Sequence, residues 1–166
     1  LGLSGGDLRA GERTFQLLHQ VSGRAGRAEK PGRVFIQTYM PEQTVIKALA
    51  KNDRDEFLAV EAREREKALM PPYGRLAALI LSDPDENKLD MFCRSLAQKA
   101  PRYDDIRVLG PAPAPMGFLR GKHRRRFLVK AGKNLPIQKY LAEWLGNVKT
   151  PSSLQLKVDI DPQSFF

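Results

Sequence analysis

Apolar side chains recur along this chain with two different periods. Leu89, Phe92, Cys93 and Leu96 fall at i, i+3, i+4 and i+7, which predicts a helix from about Asp85 to Ala100 with one buried stripe. Ile137, Tyr140, Leu141, Trp144 and Leu145 form a second such stripe, on a helix from about Pro136 to Asn147. Leu154, Leu156, Val158 and Ile160 instead alternate with Gln155, Lys157 and Asp159, the period-two signature of a strand. Strands are also predicted over Arg75 to Leu81, Ile106 to Leu109 and Arg124 to Lys130. In the last of these the pleat sends Phe127 and Val129 to the core and Arg126, Leu128 and Lys130 to the other side. The run Gly110-Pro111-Ala112-Pro113-Ala114-Pro115 reads as a stiff extended crossing that offers few amide donors.

Taken in order, these elements spell β-α-β-β-α-β, the split βαβ of a ferredoxin-like α+β sandwich with two helices on one sheet face. The strand at Arg75 is apolar on both sides, which predicts cover on both. Pro71-Pro72 must end the preceding helix, because proline lacks the amide donor and restricts the residue before it. The domain boundary is therefore expected there, dividing residues 1–70 from residues 71–166. The first part reads as a loop, then a helix from about Glu12 to Gly23 with Phe15, Leu18 and His19 on one face. A turn at Glu29-Lys30-Pro31-Gly32 and a strand from Arg33 to Thr38 follow, then helices over Thr44 to Lys51 and Asp55 to Leu69.

With 42% apolar and 28% charged residues, the chain has a globular composition. No apolar run is long enough for a spanning helix and no signal-peptide pattern opens the sequence. The single cysteine, Cys93, excludes an internal disulfide and a cysteine-rich zinc site, so a cytoplasmic setting is expected. On its apolar helix face Cys93 reads as a small core filler, and Trp144 likewise as core. The chain begins at Leu1 without an initiator methionine, which suggests a fragment.

The net charge of +9 is confined to one place. Between Asp105 and Glu143 there is no acid and there are nine bases, whereas outside that window nineteen bases face nineteen acids. Such a single-signed stretch attracts polyanions with a strong salt dependence. Arg120, Lys122, Arg124, Arg125, Arg126 and Lys130 are the candidate phosphate contacts within it, largely indifferent to base sequence. Arg124-Arg125-Arg126 leads into a strand and not an amphipathic helix, which disfavours a membrane surface.

A different chemistry is suggested at the end of the first helix, Gln20-Val21-Ser22-Gly23-Arg24-Ala25-Gly26-Arg27. Two arginines three apart, set among glycines, can converge on one phosphate group, where an arginine finger is worth about 10³–10⁵ in rate. The plain alternative is a basic helix end offsetting its own dipole. A complete phosphate cradle is missing: Gly121-Lys122 has Met116 and His123 where glycine and a hydroxyl are required, and Gly132-Lys133 has Phe127 and Asn134. No Asp-Glu-x-His motif occurs either.

Gln20-x-x-Gly23-Arg24-x-Gly26-Arg27 resembles motif VI of superfamily 2 helicases. Asp7-Leu8-Arg9-Ala10-x-Glu12-Arg13-x-Phe15-Gln16-Leu17-Leu18 stands before it and Gly32-x-Val34-x-Ile36-Gln37-Thr38 after it. With Pro71-Pro72, Gly110-Pro111-x-Pro113-Ala114-Pro115 and Asp159-Ile160-Asp161-Pro162, the set resembles the carboxyl-terminal part of the primosomal protein N-prime (PriA) family of replication-restart helicases. Gly6 and Ser22 depart from that pattern, where proline and alanine are usual. The resemblance implies an α/β fragment, the end of a RecA-like second lobe, over residues 1–70, and a DNA-binding carboxyl-terminal domain over residues 71–166. It implies Arg27 as the finger, Arg24 as a second phosphate contact and Gln20 beside them, in an ATP-dependent 3′→5′ DNA helicase of primosome assembly. ATP and magnesium are then implied for the intact protein and zinc for an upstream module, with none expected on this chain alone. The implied partners are forked or branched DNA, single-stranded DNA, single-stranded-DNA-binding protein and other primosome proteins. Missing its phosphate cradle and Asp-Glu-x-His motif, this chain alone is expected to be inactive. The alternative is a non-enzymatic nucleic-acid-binding or scaffold module of ribosomal-protein type.

Overall fold

The apolar stripes place the core. A computed structural model describes residues 9–25 and 32–163, in two compact units that divide between Glu64 and Arg65. The first unit contains α1 (Ala10–Ser22), α2 (Thr44–Lys51) and most of α3 (Arg54–Lys67). Phe15, Val45, Ala48 and Phe57 form its small core, with the Phe15 and Phe57 rings stacked at 4.8 Å. Asn52 ends α2 in the left-handed conformation, which asparagine tolerates, and the Asp53 carboxylate then accepts the Glu56 amide to start α3.

The strand predicted over Arg33 to Thr38 is not formed. Residues 32–38 run without regular structure, and Phe35 is 88% exposed. The apolar pattern is real, but a strand requires a neighbour for its ladder, and the described part of this unit contains none. The predicted turn at Glu29 to Pro31 lies outside the described residues.

The second unit is α+β. It contains β1 (Gly74–Asp83), α4 (Glu86–Gln98), β2 (Ile106–Leu119), β3 (Lys122–Gly132), α5 (Ile137–Gly146) and β4 (Gln155–Ile160). The sheet order is β2-β3-β1-β4, with every neighbouring pair antiparallel. Ala77, Leu79 and Leu81 of β1 and Phe127, Val129 and Ala131 of β3 share one face, as the register Leu79↔Phe127 and Ala77↔Val129 requires. Leu89, Cys93 and Leu96 of α4 and Ile137, Tyr140, Leu141 and Trp144 of α5 close over that face. Trp144 donates its indole N–H to the Leu96 carbonyl at 2.9 Å, and the Tyr140 hydroxyl reaches the Pro101 carbonyl, so both polar tips are satisfied. Cys93 is fully buried, as expected of a filler. On the opposite face Leu76 and Ala78 are also buried.

Two aspartates tie the strand ends. Asp161 accepts the Leu76 amide and pairs with Arg75 at 2.7 Å, which gives the Asp-Ile-Asp-Pro segment a structural role. Asp83 accepts the Asp85 amide at 2.8 Å and the Ser153 hydroxyl at 2.7 Å. These bonds, the Asp85 amide foremost, hold its carboxyl below the usual range, against the opposing effect of burial. Its contribution to stability is therefore complete above pH ~4 and is lost as the pH falls through the depressed value.

The proline-rich run belongs to β2, which continues from Leu109 through to Leu119 and does not stop at Gly110. Register shifts between Leu109 and Ala112, and again between Pro113 and Phe118, let the strand pass its prolines. Gly110 sits at the first shift with φ +113°, and a Cβ there would stand 2.6 Å from the Arg126 carbonyl oxygen. Replacing Gly110 by alanine should lower unfolding stability by about 1–3 kcal/mol. Urea melts followed by Trp144 fluorescence would report the loss.

Candidate nucleic-acid interface

The pleat of β3 sorts the basic run. Its odd residues face the helices, so Lys122, Arg124, Arg126 and Lys130 emerge on the opposite, open face. Ser82 of β1 lies between Arg124 on β3 and Gln155 on β4, and Ile80 lies between Arg126 and Lys157. The two rows run across the sheet.

At the β2–β3 hairpin, Leu119 pairs with Lys122 across the two-residue turn Arg120-Gly121. Both turn residues have positive φ, 50° and 76°, the form that matches strand twist. Glycine suits the second position. Arginine is an uncommon choice for the first, so the turn accepts backbone strain to carry a cation at its tip. Arg120, Lys122, Arg124 and Lys157 then surround a groove of about 740 Å³ at this end of the open face. Ile80 and Leu119 supply apolar lining, Ser82 and Gln155 supply polar groups, and no carboxylate lines it. Arg124 donates from Nη1 to the Pro115 carbonyl at 3.1 Å, which fixes the guanidinium while other N–H donors remain to it.

Other members of the predicted set are placed differently. Arg126 and Lys130 lie farther along the open face, and Lys130 Nζ donates to the Ala68 carbonyl at 2.6 Å. Arg125 is on the helix face. Its Nε meets Asp90 Oδ1 at 2.7 Å and its Nη2 meets Glu86 Oε1 at 2.8 Å, and its side chain is only 14% exposed. The bonds to Asp90 and then Glu86 push its pKa up, so it stays cationic but locally compensated. His123 shares that side, 3.6 Å from Glu86 and against the Phe118 ring. Lys157, Ser82 and Gln155 were not singled out from sequence. The polar parity of Gln155 and Lys157 on β4 was the available signal, but only strand pairing brings them beside Arg124.

Gln20 and Arg24 are both exposed at the end of α1. Gly23 there has φ −63°, and a Cβ would meet only ordinary contacts, 3.5 Å from the His19 carbonyl. Glycine is thus not forced by the local backbone. Arg27 and Gly26 lie outside the described residues. Gly121-Lys122 occupies a hairpin and opens no helix, so it is no cradle. Among the described residues no group of three histidine, cysteine or acidic side chains could hold a metal ion.

Residues 66–163 match the family described as Primosomal protein N C-terminal domain. The chain is 46% identical over 166 residues to the replication restart protein PriA of Rickettsia conorii, covering 100% of the chain and 26% of the relative. It is 38% identical over 162 residues to the protein of the same name from Synechocystis, covering 95% of the chain and 19% of the relative. It is 33% identical over 161 residues to that of Bacillus subtilis, covering 94% and 20%. The chain thus spans between a fifth and about a quarter of these relatives.

Arg125→Ala should lower stability by about 1–3 kcal/mol, toward the smaller figure because both carboxylate partners reach solvent. Chemical denaturation against the parent chain measures it. A loss of anion affinity without a loss of stability would be the opposite result.

Proposed function

The chain belongs to the Primosomal protein N C-terminal domain family, and from that membership we propose that it is the carboxyl-terminal part of an ATP-dependent 3′→5′ replication-restart DNA helicase. Its second unit is the DNA-holding portion. Residues from about 71 onward form a ferredoxin-like split βαβ; the antiparallel order β2-β3-β1-β4 and two helices on one face support that reading. Residues up to about 70 are the end of the second motor lobe, with Gln20, Arg24 and Arg27 serving a nucleotide held by another part of the protein.

One observation carries the nucleic-acid assignment. Four cations ring a groove on the open sheet face and no acid lines it. Arg120, Lys122 and Arg124 of the run from 106 to 142 are drawn to one end by the hairpin turn and joined there by Lys157. Arg120, Lys122, Arg124 and Lys157 are the principal phosphate contacts, with Arg126 and Lys130 extending the track. Arg125 stands outside this set, since Glu86 and Asp90 already satisfy it.

In the intact protein, ATP with magnesium would supply the free energy for strand movement, and Gln20, Arg24 and Arg27 would bind and orient its phosphates. Zinc belongs to an upstream module. Forked or branched DNA, single-stranded DNA, single-stranded-DNA-binding protein and other primosome proteins are the partners on this reading, in the cytoplasm. No helix among the described residues is long and apolar enough to cross a membrane.

The test is a salt titration of binding to forked DNA, with structured RNA at matched salt as the comparator. Changing Arg120, Lys122, Arg124 and Lys157 to glutamine should flatten the log–log slope by about 0.7–0.9 per lost contact. Arg125→Gln should leave it unchanged. An unaltered slope in the quadruple variant would return these residues to a solubility role, and a preference for RNA would favour the ribosomal-type module.

A further inference from the structure

We propose that the groove at the hairpin end takes an unpaired strand, with bases against its apolar floor and phosphates on its cationic rim. The proposal rests on the nucleic-acid reading above and narrows it. A duplex shows a partner its phosphates and base edges, and keeps its base faces stacked inside. Cations on a flat face would be enough to hold it. This groove also presents Ile80 and Leu119 between the cations, and Leu119 is 38% exposed. Only a ligand with charged edges and apolar faces uses both kinds of lining, and an unpaired nucleotide has both.

The register sets the geometry. Ile80 stands between Arg126 and Lys157, each one strand away, or about 5 Å on the sheet spacing. A base laid on Ile80 therefore has Lys157 of the groove rim one strand away from it. In the next row Ser82 stands between Arg124 and Gln155, so a hydroxyl and an amide can reach base edges. The volume of about 740 Å³ falls in the range of small-ligand clefts, about 300–1,000 Å³, which suits a few nucleotides of one strand. A double helix could lie only across the rim. The cations are spread over the hairpin tip, β3 and β4, which suits successive phosphates of a strand better than one mononucleotide.

The experiment compares three ligands on the full 166-residue chain at matched salt: oligothymidylate, an abasic strand of equal length, and blunt duplex of equal phosphate count. Oligothymidylate should bind about fivefold tighter than the abasic strand, the gain from removing about 40 Å² of apolar surface from water. It should also bind tighter than the duplex. Leu119→Ser, at the exposed hairpin tip, should shrink the preference for bases while leaving the salt slope unchanged. Equal affinity for the thymidylate and abasic strands would overturn the base-on-floor proposal and leave the polyanion reading intact. Tighter binding of duplex would also overturn it. No binding of any of the three at low salt would overturn the nucleic-acid reading itself. The wild-type comparison decides the matter even if the Leu119 variant fails to fold.

Discussion

The two-residue repeat of β3 governs the rest of this molecule. Phe127, Val129 and Ala131 must enter the core beneath α4 and α5, so every even neighbour must leave it. The three consecutive arginines before Phe127 therefore cannot act as one patch. Arg124 and Arg126 go to the open face, and Arg125 goes to the helix side, where a bare guanidinium would be costly. Glu86 and Asp90, one turn apart on α4, make that position tolerable. A charge cluster that looks uniform in sequence thus divides into a structural cation and a pair on the open sheet face.

The same pairing that fills the core also builds the groove. Antiparallel neighbours bring Ser82 beside Arg124 and Gln155, and Ile80 beside Lys157, although β4 lies more than seventy residues from β1 in sequence. The turn at Arg120-Gly121 completes the rim. Its arginine is exposed and left-handed, an uncommon combination for a side chain with a Cβ.

Sequence periodicity was enough to place all six elements of the second unit and most of their inward faces, because each reports its own amphipathic pattern locally. Arg125 was expected among the phosphate contacts, although parity with Phe127 and Val129 as core already put it on the helix side. Pairing was not legible. Residues 33–38 have strand chemistry but no neighbouring strand among those described. β2 runs through prolines that would stop a central strand, and it survives because it is an edge, where a missing donor deprives no second partner. The groove needed Lys157, which only the β1–β4 register brings into reach of the hairpin. In the first unit Gln20 and Arg24 were singled out from a motif, and both lie exposed at the end of α1.

The division of the arginines is the claim on which the functional reading stands. Arginine side-chain NMR of the chain, titrated with a short oligonucleotide, observes it residue by residue through the Nε–Hε correlations. The signals of Arg120 and Arg124 should move progressively with added strand while that of Arg125 stays at its starting position. Movement of Arg125 as large as that of Arg124 would mean that its pairing with Glu86 and Asp90 does not hold in solution, and would contradict the account.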